Sequence, residues 1–140
     1  MVSPSSTVGE VIELMRLQKG AAALVVEDAP DGSAGAKVAG IFTERDALKW
    51  LAEGQTLSSS IRDAMTPDPS MVTSDATVGE TIEQMSQGGY RHLPIVTSSG
   101  VPTGVACVHG IVHYLVDHFP ATIYTLPPEP GKSPTNREGA

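Results

Sequence analysis

Residues 1–15 (MVSPSSTVGEVIELM) and 71–85 (MVTSDATVGETIEQM) are two copies of one segment, identical at nine of fifteen positions, with the core Thr7–Glu10 unchanged as Thr77–Glu80. A supersecondary unit repeated within a chain buries its apolar face against its copy, and two packed copies leave a cleft between them. A length of 140 residues supplies one sizeable core or two small ones that lean on each other. The duplication therefore points to the cleft, rather than to either half, as the place where function resides.

Repeat one occupies residues 1–54 and starts on a short strand. Val8, Val11, Ile12 and Met15 then form a helical apolar stripe opened by a Ser/Thr cap, with Gly20 placed to end it. AAALVV reads as a buried strand, DAPDGSAGAK as a turn-rich loop, KVAGIF as a second strand, and TERDALKWLAEG as a helix stopped by Gly54. Residues 55–70 are a connector in which SIRDAM fits a helical turn and the two prolines of TPDPS impose an extended or turned path. Repeat two, residues 71–118, runs in the same order: a helix over 78–86, strands HLPIVT and TGVACV, and a helix over 109–118. Its hairpin is six residues shorter, so Gly104 matches Gly40. Residues 119–140 form a tail with five of the eleven prolines, and its end is expected to be disordered.

Composition removes several functional classes. A net charge of −7 argues against nucleic acid and anionic lipid as partners, which call for a basic surface. The longest apolar run, residues 21–26, is far short of a membrane span, and no basic-then-apolar leader opens the chain. A single cysteine, Cys107, rules out an internal disulfide framework and fits a reducing cytoplasm. There is no GxSxG, Walker loop, Cys-His signature or HExxH, so the chain reads as a non-enzyme. His109, His113 and Asp117 share a helix face, but their line over two turns is longer than one metal ion spans. Trp50 fits either a core position or a dimer contact.

Three local motifs sit in order within this frame: GIFTERD at 40–46, MTPDP at 65–69 and RHLPIV at 91–96. With the repeat, they make residues 1–118 resemble a tandem pair of cystathionine β-synthase (CBS) domains. The resemblance implies an α+β fold of two β-α-β-β-α repeats related by a pseudo-two-fold axis, with three-stranded sheets carrying helices on one face. It implies a cytoplasmic regulatory module concerned with energy sensing, which binds AMP, ADP or ATP in the cleft and needs no other cofactor. S-adenosylmethionine is an alternative ligand. Partners would be a second copy, held through the helices as a homodimer, and a target protein. A ligand-free dimerisation module remains open, as does a regulatory fragment of a larger enzyme, since the chain begins directly on the first strand.

Thr43-Glu44-Arg45-Asp46 has two readings. As a capping-box variant, Thr43 caps a helix and Asp46 reaches back to it. As a ribose clamp, Asp46 accepts both hydroxyls of a cis-diol while Arg45 and the helix N–H groups face a phosphate. The resemblance favours the clamp and sets it opposite Tyr90–Pro94 of the other repeat. Arg91 and His92 would then be phosphate contacts, and Tyr90 and Pro94 would flank the ligand. On the same analogy Thr66, Pro69 and Met71 line the base side, with Ile41, Val72 and Ile95 as further apolar wall. The equivalent positions of repeat two are Cys107 and Gly110, which cannot clamp a diol by charge. One competent ribose site per chain is therefore expected.

Overall fold

The computed structural model describes residues 1–28 and 35–120. Most of the turn-rich loop of repeat one and nearly all of the tail lie outside the described residues. Two compact units result, Met1–Val108 and His109–Ala140. The first contains both sheets.

In chain order the elements are α1 (Val8–Gln18), β1 (Ala22–Asp28), β2 (Ala36–Thr43), α2 (Glu44–Ala52), α3 (Ile61–Ala64), β3 (Thr66–Pro67), β4 (Val72–Thr73), α4 (Val78–Gly88), β5 (His92–Val96), β6 (Pro102–Cys107) and α5 (Val108–His118). They build an α+β fold with two three-stranded sheets, ordered β1-β2-β3 and β4-β5-β6. Both copies of TVGE open a helix in the same way. Thr7 and Thr77 accept from the N–H groups of Glu10 and Glu80, and those carboxylates accept from the threonine N–H groups at 2.7 Å. Each reciprocal cap satisfies N–H groups that the first helical turn leaves without partners.

Helix α1 does not end on a left-handed glycine. Lys19 takes that conformation (φ 51°), and Gly20 donates its N–H to the Met15 carbonyl. Gly89 holds the position equivalent to Lys19 in repeat two, with φ 66°. The backbone geometry is shared although only one copy uses the residue that adopts it without strain.

Strand register reproduces the duplication. Val25 pairs with Gly40 and Ile95 with Gly104, and each hairpin has its irregularity one residue later, at Val25/Val26 and Ile95/Val96. The third strands differ in origin. In the second sheet β4 runs parallel to β5, with Val72 opposite Ile95. The equivalent residue of repeat one, Val2, makes only an isolated parallel bridge to Val25. The first sheet takes its third strand from the connector instead: Thr66 and Pro67 pair antiparallel with Ile41 and Gly40. Pro67 fits because an edge strand can dispense with its outward N–H.

The connector is bonded back onto repeat one. Val8 and Gly9 donate their N–H groups to the carbonyls of Ser59 and Leu57, and the Ile61 N–H donates to Ser6. The fully buried Ile61 then fills a core made by Val8, Val11, Met15, Ala23, Val25 and Phe42. Trp50 packs against the same core and donates its indole N–H to the Thr56 carbonyl at 3.0 Å, which places it on the core side of the two readings. Strand β6 lies against β1 and β2, so the two sheets face each other.

Gly40 and Gly104 occupy equivalent positions with different surroundings. A Cβ on Gly40 would meet the Thr66 carbonyl oxygen at 2.8 Å, whereas nothing lies within 4 Å of one on Gly104. Gly40→Ala is expected to cost about 1–3 kcal/mol by overpacking, and Gly104→Ala less than about 0.5 kcal/mol. Urea unfolding of the two variants side by side reads the difference, and equal midpoints would contradict the packing of β3 on β2.

Candidate functional site

The β2–α2 junction delivers Thr43 and Asp46 to a cavity of about 310 Å³, and the turn after α4 with the start of β5 delivers Tyr90, Arg91 and His92. Thr66 and Pro69 of the connector border it, with Ile41 beneath. Two matching backbone bonds hold the walls. Glu44 at the start of α2 donates its N–H to the Ala21 carbonyl at 3.1 Å, and Val108 donates to the Arg91 carbonyl at 3.0 Å. In each repeat the last helix begins beside the first residues of the hairpin, and the second copy thereby fixes the strand start that carries Arg91 and His92.

Thr43 and Asp46 form a reciprocal cap. The Thr43 N–H and hydroxyl donate to Asp46 Oδ2 at 2.8 and 2.6 Å, and the Asp46 N–H donates to Thr43 Oγ1 at 3.4 Å. The other carboxylate oxygen, Oδ1, is 3.5 Å from Thr66 Oγ1, a long contact. One oxygen thus sets the helix start and the second is directed at the connector side of the cavity. Cap and clamp are compatible uses of one carboxylate.

Arg45 and Arg91 contribute two guanidinium groups to the lining, and neither forms an ion pair among the described residues. His92 is half-buried and stands opposite Cys107 on β6. Removal from water pushes its imidazole below its ordinary pKa; the Glu44 carboxylate pulls the other way, and the Arg91 charge adds to the lowering. Tyr90 is pinned from two sides. Its hydroxyl accepts from Ser70 Oγ at 3.1 Å, and its ring lies where a Cβ on Gly88 would be.

Four residues expected at the cavity lie outside its lining. Pro94 is fully buried, two residues deeper along β5 than His92 and paired with Val105, so core packing claims it. Met71 is 43% exposed and lies outside the lining, its carbonyl accepting from Gln84 Nε2. Val72 and Ile95 also lie outside the lining, partnered across β4 and β5. The cavity adds Glu44, Ser70 and Gly89 to the residues expected from sequence. Glu44 stood inside the TERD motif, where helix capping drew attention to its neighbours; Ser70 and Gly89 carried no charge or periodicity to mark them. Cys107, the counterpart of Thr43 in repeat two, is partly buried. Among the described residues no group of three or more His, Cys, Asp or Glu side chains is arranged to hold a metal ion, and no helix is long and apolar enough to cross a membrane. Within α5, His109 and His113 meet edge to face with centroids 4.5 Å apart.

A family model for the CBS domain matches residues 1–53 and 61–117. An uncharacterized 17.7 kDa protein of Acidianus ambivalens is 32% identical over 117 residues, a match covering 84% of this chain and 67% of that protein. A CBS domain-containing protein of Arabidopsis thaliana is 42% identical over 71 residues, 47% of this chain, but the match spans only 12% of that protein's length. Among solved structures, a CBS-domain containing protein of Agrobacterium tumefaciens superposes with a TM-score of 0.68 at 30% identity over 81% of both chains. A CBS domain protein of Pyrobaculum aerophilum, solved in complex with AMP, superposes with a TM-score of 0.67 at 20% identity over 83% of this chain and 89% of that one, a likeness of fold alone. The fold is that of a CBS pair, and the chain belongs to the CBS-domain family.

Two expected outcomes follow from the cavity's geometry. Because folding lowers the His92 pKa, the unfolded chain holds more protons between the folded value and about 6.5. Stability from this group is therefore full above about pH 6.5 and lost as pH falls through the folded pKa. Melting curves from pH 7 to pH 5 should show a fall in midpoint that His92→Gln reduces; parallel curves would contradict it. Gly88→Ala should displace the Tyr90 ring and break its bond to Ser70 while shifting the melting temperature by only a few degrees, since at the last residue of α4 alanine's helix preference over glycine, up to about 1 kcal/mol, offsets part of the cost. Tyrosine fluorescence and amide chemical shifts near Ser70 would register the displacement, and spectra identical to wild type would contradict it.

Proposed function

We propose that this chain is a regulatory module that binds one adenine nucleotide of the AMP, ADP or ATP class in the cavity between its repeats, and that its activity is binding rather than catalysis. The reading is carried by one observation: the carboxylate of Asp46, from repeat one, and the Arg91 guanidinium and His92 imidazole, from repeat two, line a single cavity. A ribose diol would donate to Asp46, a phosphate would lie between Arg91, His92 and Arg45, and the base would lie along Thr66, Pro69 and Ile41. Apolar walls with a few convergent polar groups suit a small ligand, and about 310 Å³ falls at the lower end of the usual size range. The AMP complex of the Pyrobaculum aerophilum protein supports the reading by showing a ligand of this class on the same fold.

Such a ligand would tie the two repeats together, and a nucleotide preferring the closed cavity would shift the population toward it. A second copy of the chain is the partner this module would signal through. A groove between α1 and α2, lined by Ile12, Met15, Leu48 and Leu51, leaves Leu48 70% exposed and favours an intermolecular contact there. The same groove supports a second reading, dimerisation with an empty cavity. The two separate by thermal shift: nucleotide raises the melting point under the first, and only protein concentration raises it under the second.

Calorimetry with AMP, ADP, ATP and S-adenosylmethionine tests the first reading, using wild type and Asp46→Asn. Asparagine keeps an acceptor for the Thr43 cap but removes the charge that two ribose hydroxyls would share. Affinity for the tightest-binding nucleotide should drop at least about tenfold. Equal affinities would remove Asp46 from the site.

A further inference from the structure

Of the two carboxylates that line the cavity, Glu44 is the one with no side-chain bond among the described residues. Asp46 spends an oxygen on the Thr43 cap, whereas the Glu44 carboxylate takes part in no hydrogen bond or ion pair among the described residues and faces His92 through space. It is the first residue of α2, its backbone is anchored to Ala21, and its exposed side chain contributes to the lining. The charge of the lining is therefore balanced: Arg45 and Arg91 against Glu44 and Asp46, with His92 disfavoured as a cation by burial and by Arg91.

Resting on the adenine-nucleotide reading above, we infer that Glu44 sets how much negative charge the cavity accepts and confines the ligand to a nucleoside monophosphate. A single phosphate can take both guanidinium groups and leave the exposed Glu44 in contact with solvent. A second or third phosphate continues the anionic chain without meeting a further cation in the lining, and does so beside an unpaired carboxylate. Like charges held close in a partly desolvated site repel, and the chain pays for each added phosphate with no new partner. The modest cavity volume acts in the same direction, since a longer phosphate chain needs more room in a lining that includes Glu44.

The test is titration calorimetry in magnesium-free buffer, where no metal masks the phosphate charge, with AMP, ADP and ATP against wild type and Glu44→Gln. Wild type should bind AMP tightest and ATP weakest. Glu44→Gln should raise ATP affinity roughly fivefold and change AMP affinity less than about twofold. Glu44→Ala, which removes the side chain's bulk as well as its charge, should match Glu44→Gln if charge is the cause. ATP binding tighter than AMP in wild type, or a glutamine variant with unchanged ATP-to-AMP ratio, would overturn the role of Glu44 while leaving the adenine-nucleotide reading intact. Absence of heat with all three nucleotides, in a protein shown to be folded by its melting curve, would overturn both.

Discussion

Ile41 and Thr66 are partnered across an antiparallel step between β2 and β3, and the cavity is built around that pairing. It makes the connector an edge strand of the first sheet and brings the chain into repeat two directly beside the β2–α2 junction. The Ile61 side chain in the first core and the bonds from Val8 and Gly9 to the connector reinforce the same path. Without them the two copies would be held together mainly where β6 lies against β1 and β2, and the connector would no longer border the cavity beside Asp46. Gly40 is the point where this arrangement is tightest, because only a residue without Cβ lets Thr66 approach.

The two copies share a plan but not a burden. Val8 is fully buried while its counterpart Val78 is 39% exposed, and Gly9 is crowded by Leu57 whereas Gly79 is not. Repeat one carries the larger core and the helix start with two acids. Repeat two carries the basic strand start, Tyr90–His92, where repeat one has Gly20–Ala22. Divergence of that kind fits a single shared cavity, in which each half needs only the groups it contributes.

Much of this was legible in the sequence, and the reasons are local. Repeat period, capping boxes and glycine positions reflect rules that operate within a few residues, so the offset of the hairpins could be read from Gly40 and Gly104 alone. Thr66–Pro67 as a strand was not legible, because two residues have no periodicity and a proline argues against a strand except at an edge. Lys19 in the left-handed region was hidden behind the more obvious Gly20. At the site, the charged residues announced themselves. Pro94 and Met71 fall outside the lining because the motif fixes their sequence position but not their depth, which packing decides. Glu44 was passed over for the opposite reason: an exposed glutamate at a helix start has an ordinary explanation in the helix dipole, and only the fold sets it against His92.

Asp46 and Arg91 serving opposite ends of one ligand is the claim on which the functional reading rests. A crystal structure of the chain grown with AMP at saturating concentration tests it most directly. The account predicts density for one nucleotide in the cavity, with ribose hydroxyls within hydrogen-bonding distance of Asp46 and phosphate oxygens on Arg91. A nucleotide bound elsewhere on the chain, or in the cavity with its phosphate turned away from Arg91, would contradict it.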